Sequence, residues 1–393
     1  MNVWNPTKTE DDSPFLYQKN RAFFAQIANP IEELGAEELR ELGATSVEPK
    51  YRGISFQASD SALYNVVYRS RLCNRILAPL IRFDCHSDRY LYKTASAINW
   101  SIFLDEHSTF AITATVSQSW INHSQYAALR LKDAIVDYFR DKTGLRPSID
   151  KRNPDLWLSL HIQNNKATIS VDVAGGSLHR RGYKVASVEA SMQETVAAAI
   201  IRMSEWDGET TLIDPMCGSG TLLTEALMHI CRIPAAYLRE QFGFMRLPEY
   251  DAEHFAKIKA AADARIRAIP ETTSISGSDL SDEAIDVARQ NLKVIPHSDS
   301  VKLRVVDYRK IGPIKNSTIV VNPPYGLRIW GDSDIAEFYK QFGDFLKQEC
   351  SGSKCYLYAG KRELLKNVGL RTSWKKPLVN GALDGRLARY DLY

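Results

Sequence analysis

From Thr210 onward the chain repeats one pattern: a short apolar run, a loop with an acid or an amide, then an amphipathic stretch. "TTLI" leads through "DPMCGSG" to "TLLTEALMHI". "SISGSD" leads to "DEAIDVARQNL", and "VKLRVVD" to a short turn. "STIVV" leads through "NPPYG" to "IAEFYKQFGDFLKQE", and "KCYLYAG" follows. Strands alternating with helices predict a doubly wound, mostly parallel α/β sheet. In such sheets ligands sit at the C-terminal ends of the strands. An insert at 231–270 interrupts the pattern and reads as helical in its later part.

The first half has a different grammar. "PIEELGAEELRELG" has helical spacing, early acids and a stopping Gly43. "ISFQAS" and "TFAITATVS" alternate like strands, and "SQYAALRLKDAIVDYFRDKTG" reads as an amphipathic helix. "LYNVVYRSRLCNRILAPLIRF" (63–83) has helical periodicity throughout. Two strands around "QNNK" predict a hairpin. This order is α+β. With 393 residues, two or three domains are expected. The expected division is a flexible tail (1–18), an N-terminal region (19–62), a second α+β domain (63–174), a basic linker (175–186) and the α/β domain (187–393).

Net charge is only +3, so a nucleic-acid role has to come from local patches. Residues 61–100 supply one: Arg69, Arg71, Arg75, Arg82, Arg89 and Lys93 against Asp84 and Asp88. "HRRGYK" supplies another, with Arg180 and Arg181 as candidate phosphate contacts. The six cysteines form no C-x-x-C pair and no His cluster accompanies them, which fits a reducing, cytoplasmic setting. No apolar run reaches membrane-spanning length, and "MNVWNPTKTEDDSPF" lacks the plan of a signal peptide.

The strand-end loops carry the chemistry. Gly218 and Gly220 allow a sharp turn and close backbone approach, and a helix N-terminus follows. There is no Gly-Lys-Ser/Thr phosphate loop and no full G-x-G-x-x-G. Asp279 ends the next strand, where a ribose diol is gripped, and also fits a helix cap. Asp307 ends the third, placed to accept from an adenine amine or simply to face solvent. Ribose and adenine handles without phosphate machinery point to S-adenosylmethionine. In "NPPY", Pro323 holds Asn322 extended, and both prolines lack an N–H. The Asn322 side-chain carbonyl beside that of Pro323 can hold both hydrogens of a planar amine, and Tyr325 offers a stacking face.

"DPMCGSGT", "GSD" and "NPPYGLR", in that order, resemble class I SAM-dependent methyltransferases acting on exocyclic amino groups. "FFAQIANPIEELGAEELRELGA", "VVYRSRLCNRILAPLIRF", "GSLHRRGYK" and the C-terminal "VNGALDGRLARYDLY" are similar to THUMP-domain guanine-N2 methyltransferases of the 23S rRNA branch. The resemblance implies ferredoxin-like and THUMP domains ahead of a Rossmann-like methyltransferase domain. Asp214, Met216, Gly218, Gly220, Asp279, Asp307, Glu194 and Thr195 would then contact the cofactor. Asn322, Pro323 and Tyr325 would be catalytic, and Pro324 and Arg328 would meet the substrate. The expected substrate is guanine N2 in RNA, 23S rRNA first and tRNA second. Adenine N6 in DNA, or an RNA-binding assembly factor without turnover, are the alternatives. One methyltransferase domain is expected in this sequence, a departure from the fused type that the resemblance includes.

Overall fold

The computed structural model describes residues 15–186, 192–324 and 332–393. The first half runs α1 (Leu16–Asn20), β1 (Ala22–Ile27), α2 (Glu32–Glu41), β2 (Thr45–Lys50), β3 (Gly53–Gln57), α3 (Asp60–Arg69), β4 (Cys73–Asp84), α4 (Asp88–Ser96), β5 (Thr109–Ser117), α5 (Ser124–Thr143), β6 (Ser148–Ile149), β7 (Leu156–Gln163) and β8 (Lys166–Asp172). These strands form one sheet in the order β2-β3-β1-β4-β8-β7-β5-β6. β4 pairs with β1 on one side and β8 on the other, so it joins both N-terminal units into a continuous sheet.

Residues 63–83 therefore correct the single helical reading. Helix α3 stops at Arg69, Ser70 turns extended, and the rest is strand β4. Pro79 lies at a register shift in the β4–β8 pairing, a position where a strand tolerates proline. Residues 16–18, placed in the expected flexible tail, belong to helix α1, and the Tyr17 ring is fully buried with its hydroxyl donating to Glu249 at 2.9 Å.

The second half runs α6 (Glu194–Met203), β9 (Leu212–Asp214), α7 (Thr221–Ile230), α8 (Ala252–Asp263), β10 (Ile275–Asp279), α9 (Asp282–Lys293), β11 (Val301–Val305), β12 (Thr318–Val321), α10 (Asp332–Glu349), β13 (Lys354–Ala359), β14 (Trp374–Pro377) and β15 (Arg386–Asp391). The sheet order is β11-β10-β9-β12-β13-β15-β14. β9 to β13 pair in parallel, and β15 enters antiparallel beside β13. β9 has β10 on one side and β12 on the other, so the winding reverses there and opens a crevice at the strand ends. Along β12, Val320 belongs to one core, while Ile319 and Val321 join α10 in the other. A strand covered on both faces is apolar throughout, as "TIVV" is.

The insert holds the halves together. Tyr68 on α3 donates to Asp263 on α8 at 2.7 Å, and Tyr64 packs on Phe244 with ring centroids 4.7 Å apart. Arg239 donates to the carbonyls of Ala174 and Ser177 at 2.8 and 2.9 Å. The stretch expected as a basic linker is thus pinned, with Leu178, Arg181 and Tyr183 buried. Among the described residues, no helix is long and apolar enough to cross a membrane.

Candidate active site

The loop after β9 is built by glycine geometry and strand-end acids. Gly218 and Gly220 have φ of 51° and 76°, and Gly220 caps α7 in the left-handed region. A Cβ on Gly220 would stand 3.0 Å from the Ala288 Cβ, so α7 and α9 approach closely only because none is there. The Asp279 carboxylate accepts from the Gly218 N–H at 2.9 Å and from the Ser281 N–H at 3.0 Å. The Cys217 N–H donates to the Ser278 carbonyl at 2.9 Å. The first two strand ends are thereby stitched into one rim.

Asp214 closes β9 at 1% exposure and accepts from the Met216 N–H at 3.1 Å. Burial holds its carboxyl well above the usual range; the Met216 N–H opposes this and the nearby Asp279 charge adds to it. Asp307, at the end of β11, accepts from the Arg309 backbone N–H at 2.9 Å. The Arg309 guanidinium grips it in a fork at 3.0 and 2.6 Å, which holds the carboxyl below its usual range. A carboxylate offers about four acceptor sites, so one stays available.

Glu194 and Thr195 start α6 and are buried. Lys184 lies 3.5 Å from Glu194 and donates to the Met192 carbonyl; burial pushes the Glu194 carboxyl up and Lys184 opposes it. Thr195 donates to Asn74 at 3.1 Å, across to β4.

Asn322 follows β12 at the reversal point. Its Oδ1 is buried and accepts no hydrogen bond among the described residues. An unsatisfied buried acceptor costs roughly 1–3 kcal/mol, which an incoming amine would recover. Pro323 is buried beside it, and Pro324 is exposed. Tyr325 and Arg328 lie outside the described residues.

The basic candidates divide. Arg180 is exposed. Arg181 corrects the phosphate expectation: it is 3% exposed, with its Nε 3.4 Å from Glu225 and its Nη2 donating to the Arg71 carbonyl. Arg71 pairs with Glu225 at 3.6 Å, and Arg75 pairs with the buried Asp172. Of the first patch, Arg82, Arg89 and Lys93 stay exposed. Register places Arg82, Thr168, His161 and Thr115 in one row across β4-β8-β7-β5, and Asp84, Lys166, Gln163 and Ser117 in the next. Their neighbours Phe83, Ala167 and Ile162 point into the core, so this face of the sheet is polar and open.

Sequence reasoning passed over Leu280, which is 72% exposed between Asp279 and Ser281. A large apolar residue between a strand-end acid and a helix cap was the available signal. Asn291 was also missed.

A doubly wound sheet with one antiparallel strand, β15, set between β13 and β14, a Gly-rich first loop, strand-end acids on the next two strands and an Asn-Pro-Pro loop on the fourth define a class I SAM-dependent methyltransferase. The chain belongs to the RMKL-like methyltransferase family, whose methyltransferase-domain model matches residues 181–389. The THUMP domain model matches 86–172 and the RlmL ferredoxin-like domain model 22–77. A Synechocystis sp. protein provisionally named an RNA methyltransferase is 35% identical over 383 residues, 97% of this chain and 100% of that protein. The ribosomal RNA large subunit methyltransferase K/L of Syntrophotalea carbinolica is 36% identical over 380 residues, 94% of this chain and 53% of that protein. The chain thus spans about half the length of the K/L relatives. A solved protein provisionally classed as a methyltransferase, in complex with S-adenosylhomocysteine, shares the fold with a TM-score of 0.81 at 24% identity, over 95% of this chain and 98% of that one.

Proposed function

We propose that this protein methylates the exocyclic N2 of a guanine in RNA, with large-subunit ribosomal RNA as the substrate. The observation that carries the reading is Asn322: a buried amide oxygen without a partner among the described residues, at the end of β12 where the winding reverses.

Asp214, Met216, Gly218, Gly220, Asp279 and Asp307 would hold S-adenosylmethionine, with Glu194 and Thr195 behind them. When bound, it supplies an electrophilic methyl group. The chain's own work is at the acceptor. The Asn322 Oδ1 and the Pro323 carbonyl take the two amine hydrogens. That turns the nitrogen lone pair out of conjugation with the ring and stabilises the positive charge that builds there. Pro323 and Pro324 fix their φ, which keeps the carbonyl pair rigid. Tyr325 offers a stacking face to the base. The open row of Arg82 and His161, with Lys166 in the row beside it, would receive the RNA backbone, with Arg180 and Arg328 as further phosphate contacts.

Support for RNA over DNA comes from the THUMP match and from the names of the Synechocystis and K/L relatives. Asn322→Ala is expected to lower the methylation rate by at least about a hundredfold, as loss of one transition-state acceptor does. Binding of S-adenosylhomocysteine should stay within about twofold. Labelled methyl transfer to separated rRNA, tRNA and DNA, followed by nucleoside analysis, reads both the rate and the base. Label in N6-methyladenine of DNA would overturn the reading; N2-methylguanosine from tRNA alone would move it to tRNA.

A further inference from the structure

Asn291 is chemically out of place. The buried face of α9 carries Ala284, Ile285, Ala288 and Leu292, and Asn291 sits among them at 0% exposure. An amide is a poor helix-interior residue and is costly to bury unless its hydrogen bonds are made. Here they are made, and to two clients. The Nδ2 donates to the Ser219 carbonyl at 3.1 Å, inside the Gly-rich loop. It also donates to the Ala186 carbonyl at 3.1 Å, while the Oδ1 accepts from the Ala186 N–H at 3.1 Å.

The first client matters for chemistry. Ser219 lies between two glycines with positive φ. Glycines on both sides make rotation of a peptide plane cheap, because no Cβ opposes it. Two side chains remove that freedom. Asp279 holds the Gly218 N–H from one side, and Asn291 holds the Ser219 carbonyl from the other. One turn earlier on the same helix, Ala288 meets Gly220. The buried face of α9 is thus a template against which the loop is set.

We infer that Asn291 is a positioning residue for the cofactor loop: by fixing the Ser219–Gly220 peptide it sets the affinity for S-adenosylmethionine, without touching the reacting amine. The inference rests on the cofactor assignment and not on the identity of the RNA base.

The test is calorimetric titration of Asn291→Ala with S-adenosylhomocysteine, alongside hydrogen exchange of the unliganded protein. Leaving the Ser219 carbonyl unmet is expected to weaken binding roughly tenfold. The KM for S-adenosylmethionine should rise in step, while kcat at saturating cofactor and RNA affinity stay within about twofold. Exchange should quicken roughly tenfold in the peptide covering 214–222 and stay unchanged in α6. Should Asn291→Ala fail to fold, Asn291→Ser, which keeps a small polar group, gives the same comparison. An S-adenosylhomocysteine affinity within twofold of wild type, or unchanged exchange in 214–222, overturns the inference. So does an equal loss of cofactor and RNA affinity, which marks Asn291 as merely structural. A failure of methyl transfer with all these readouts as expected would count against the guanine assignment instead.

Discussion

Asp214 is pulled two ways. Its place at the end of β9 lets it hold the Met216 N–H of the Gly-rich loop, but burial makes its charge expensive. A carboxyl whose folded pKa is raised binds its proton more tightly in the folded chain than in the unfolded one. Stability is therefore lost as pH rises from the unfolded value, about 3.9, towards the raised folded value. Asp214→Asn keeps an oxygen for the Met216 N–H and removes the charge. The variant should melt higher than wild type at pH 7, with the gap narrowing as pH falls towards 4, and should bind S-adenosylhomocysteine more weakly. A melting-temperature difference that does not change with pH would sink this. The strand-end positions of Asp214, Asp279 and Asn322 were legible because a strand end needs no partner to be recognised. Arg181 and Asn291 were not, because their roles come from Glu225 and Ser219, 44 and 72 residues away. Spacing along the chain carries no record of such pairs.

Among the elements, legibility followed burial. Strand β12, apolar on both faces, and the hairpin of β7 and β8, with Asn164 and Asn165 at positive φ, were readable from local pattern. Strand β4 was not: Cys73, Ile76, Leu77, Leu80, Ile81 and Phe83 are spaced like a helix face. The strand is covered on both sides near its middle and bulges at Pro79, which erases alternation; Pro79 itself was the signal against a helix. In the Gly-rich loop the backbone leaves no latitude. Gly220→Ala would force a side chain into left-handed φ, costing about 1–2 kcal/mol, and press its Cβ against Ala288. The expected result is a lower melting temperature with weaker S-adenosylhomocysteine binding. Wild-type values for both would show that α7 and α9 can part without consequence.

Across the chain, the two halves are joined by a buried charge cluster that the local pattern did not announce. Glu225, fully buried on α7, meets Arg181, Tyr183 and Arg71 from the other side of the junction. Removing one partner of such a cluster leaves charge buried without compensation, at a cost of about 3–5 kcal/mol. Glu225→Ala should lose that much in urea unfolding, and a loss under about 1 kcal/mol would show the arginines finding water instead. Since Arg71, Arg75 and Arg181 are spent on this junction and on Asp172, RNA has to be met by what stays outside. Arg82 is the clearest case, exposed in the polar row with His161 and Thr115. Lys166, in the adjacent row, lies 3.8 Å from Asp84, and both are about half exposed, so water screens the pair. Each phosphate that is no longer neutralised should reduce the slope of log affinity against log salt by about 0.7–1. Arg82→Ala with Lys166→Ala should therefore flatten that slope by about 1.4–2 in a filter-binding series, while S-adenosylhomocysteine affinity holds. An unchanged slope would move the RNA path off the open face of the N-terminal sheet.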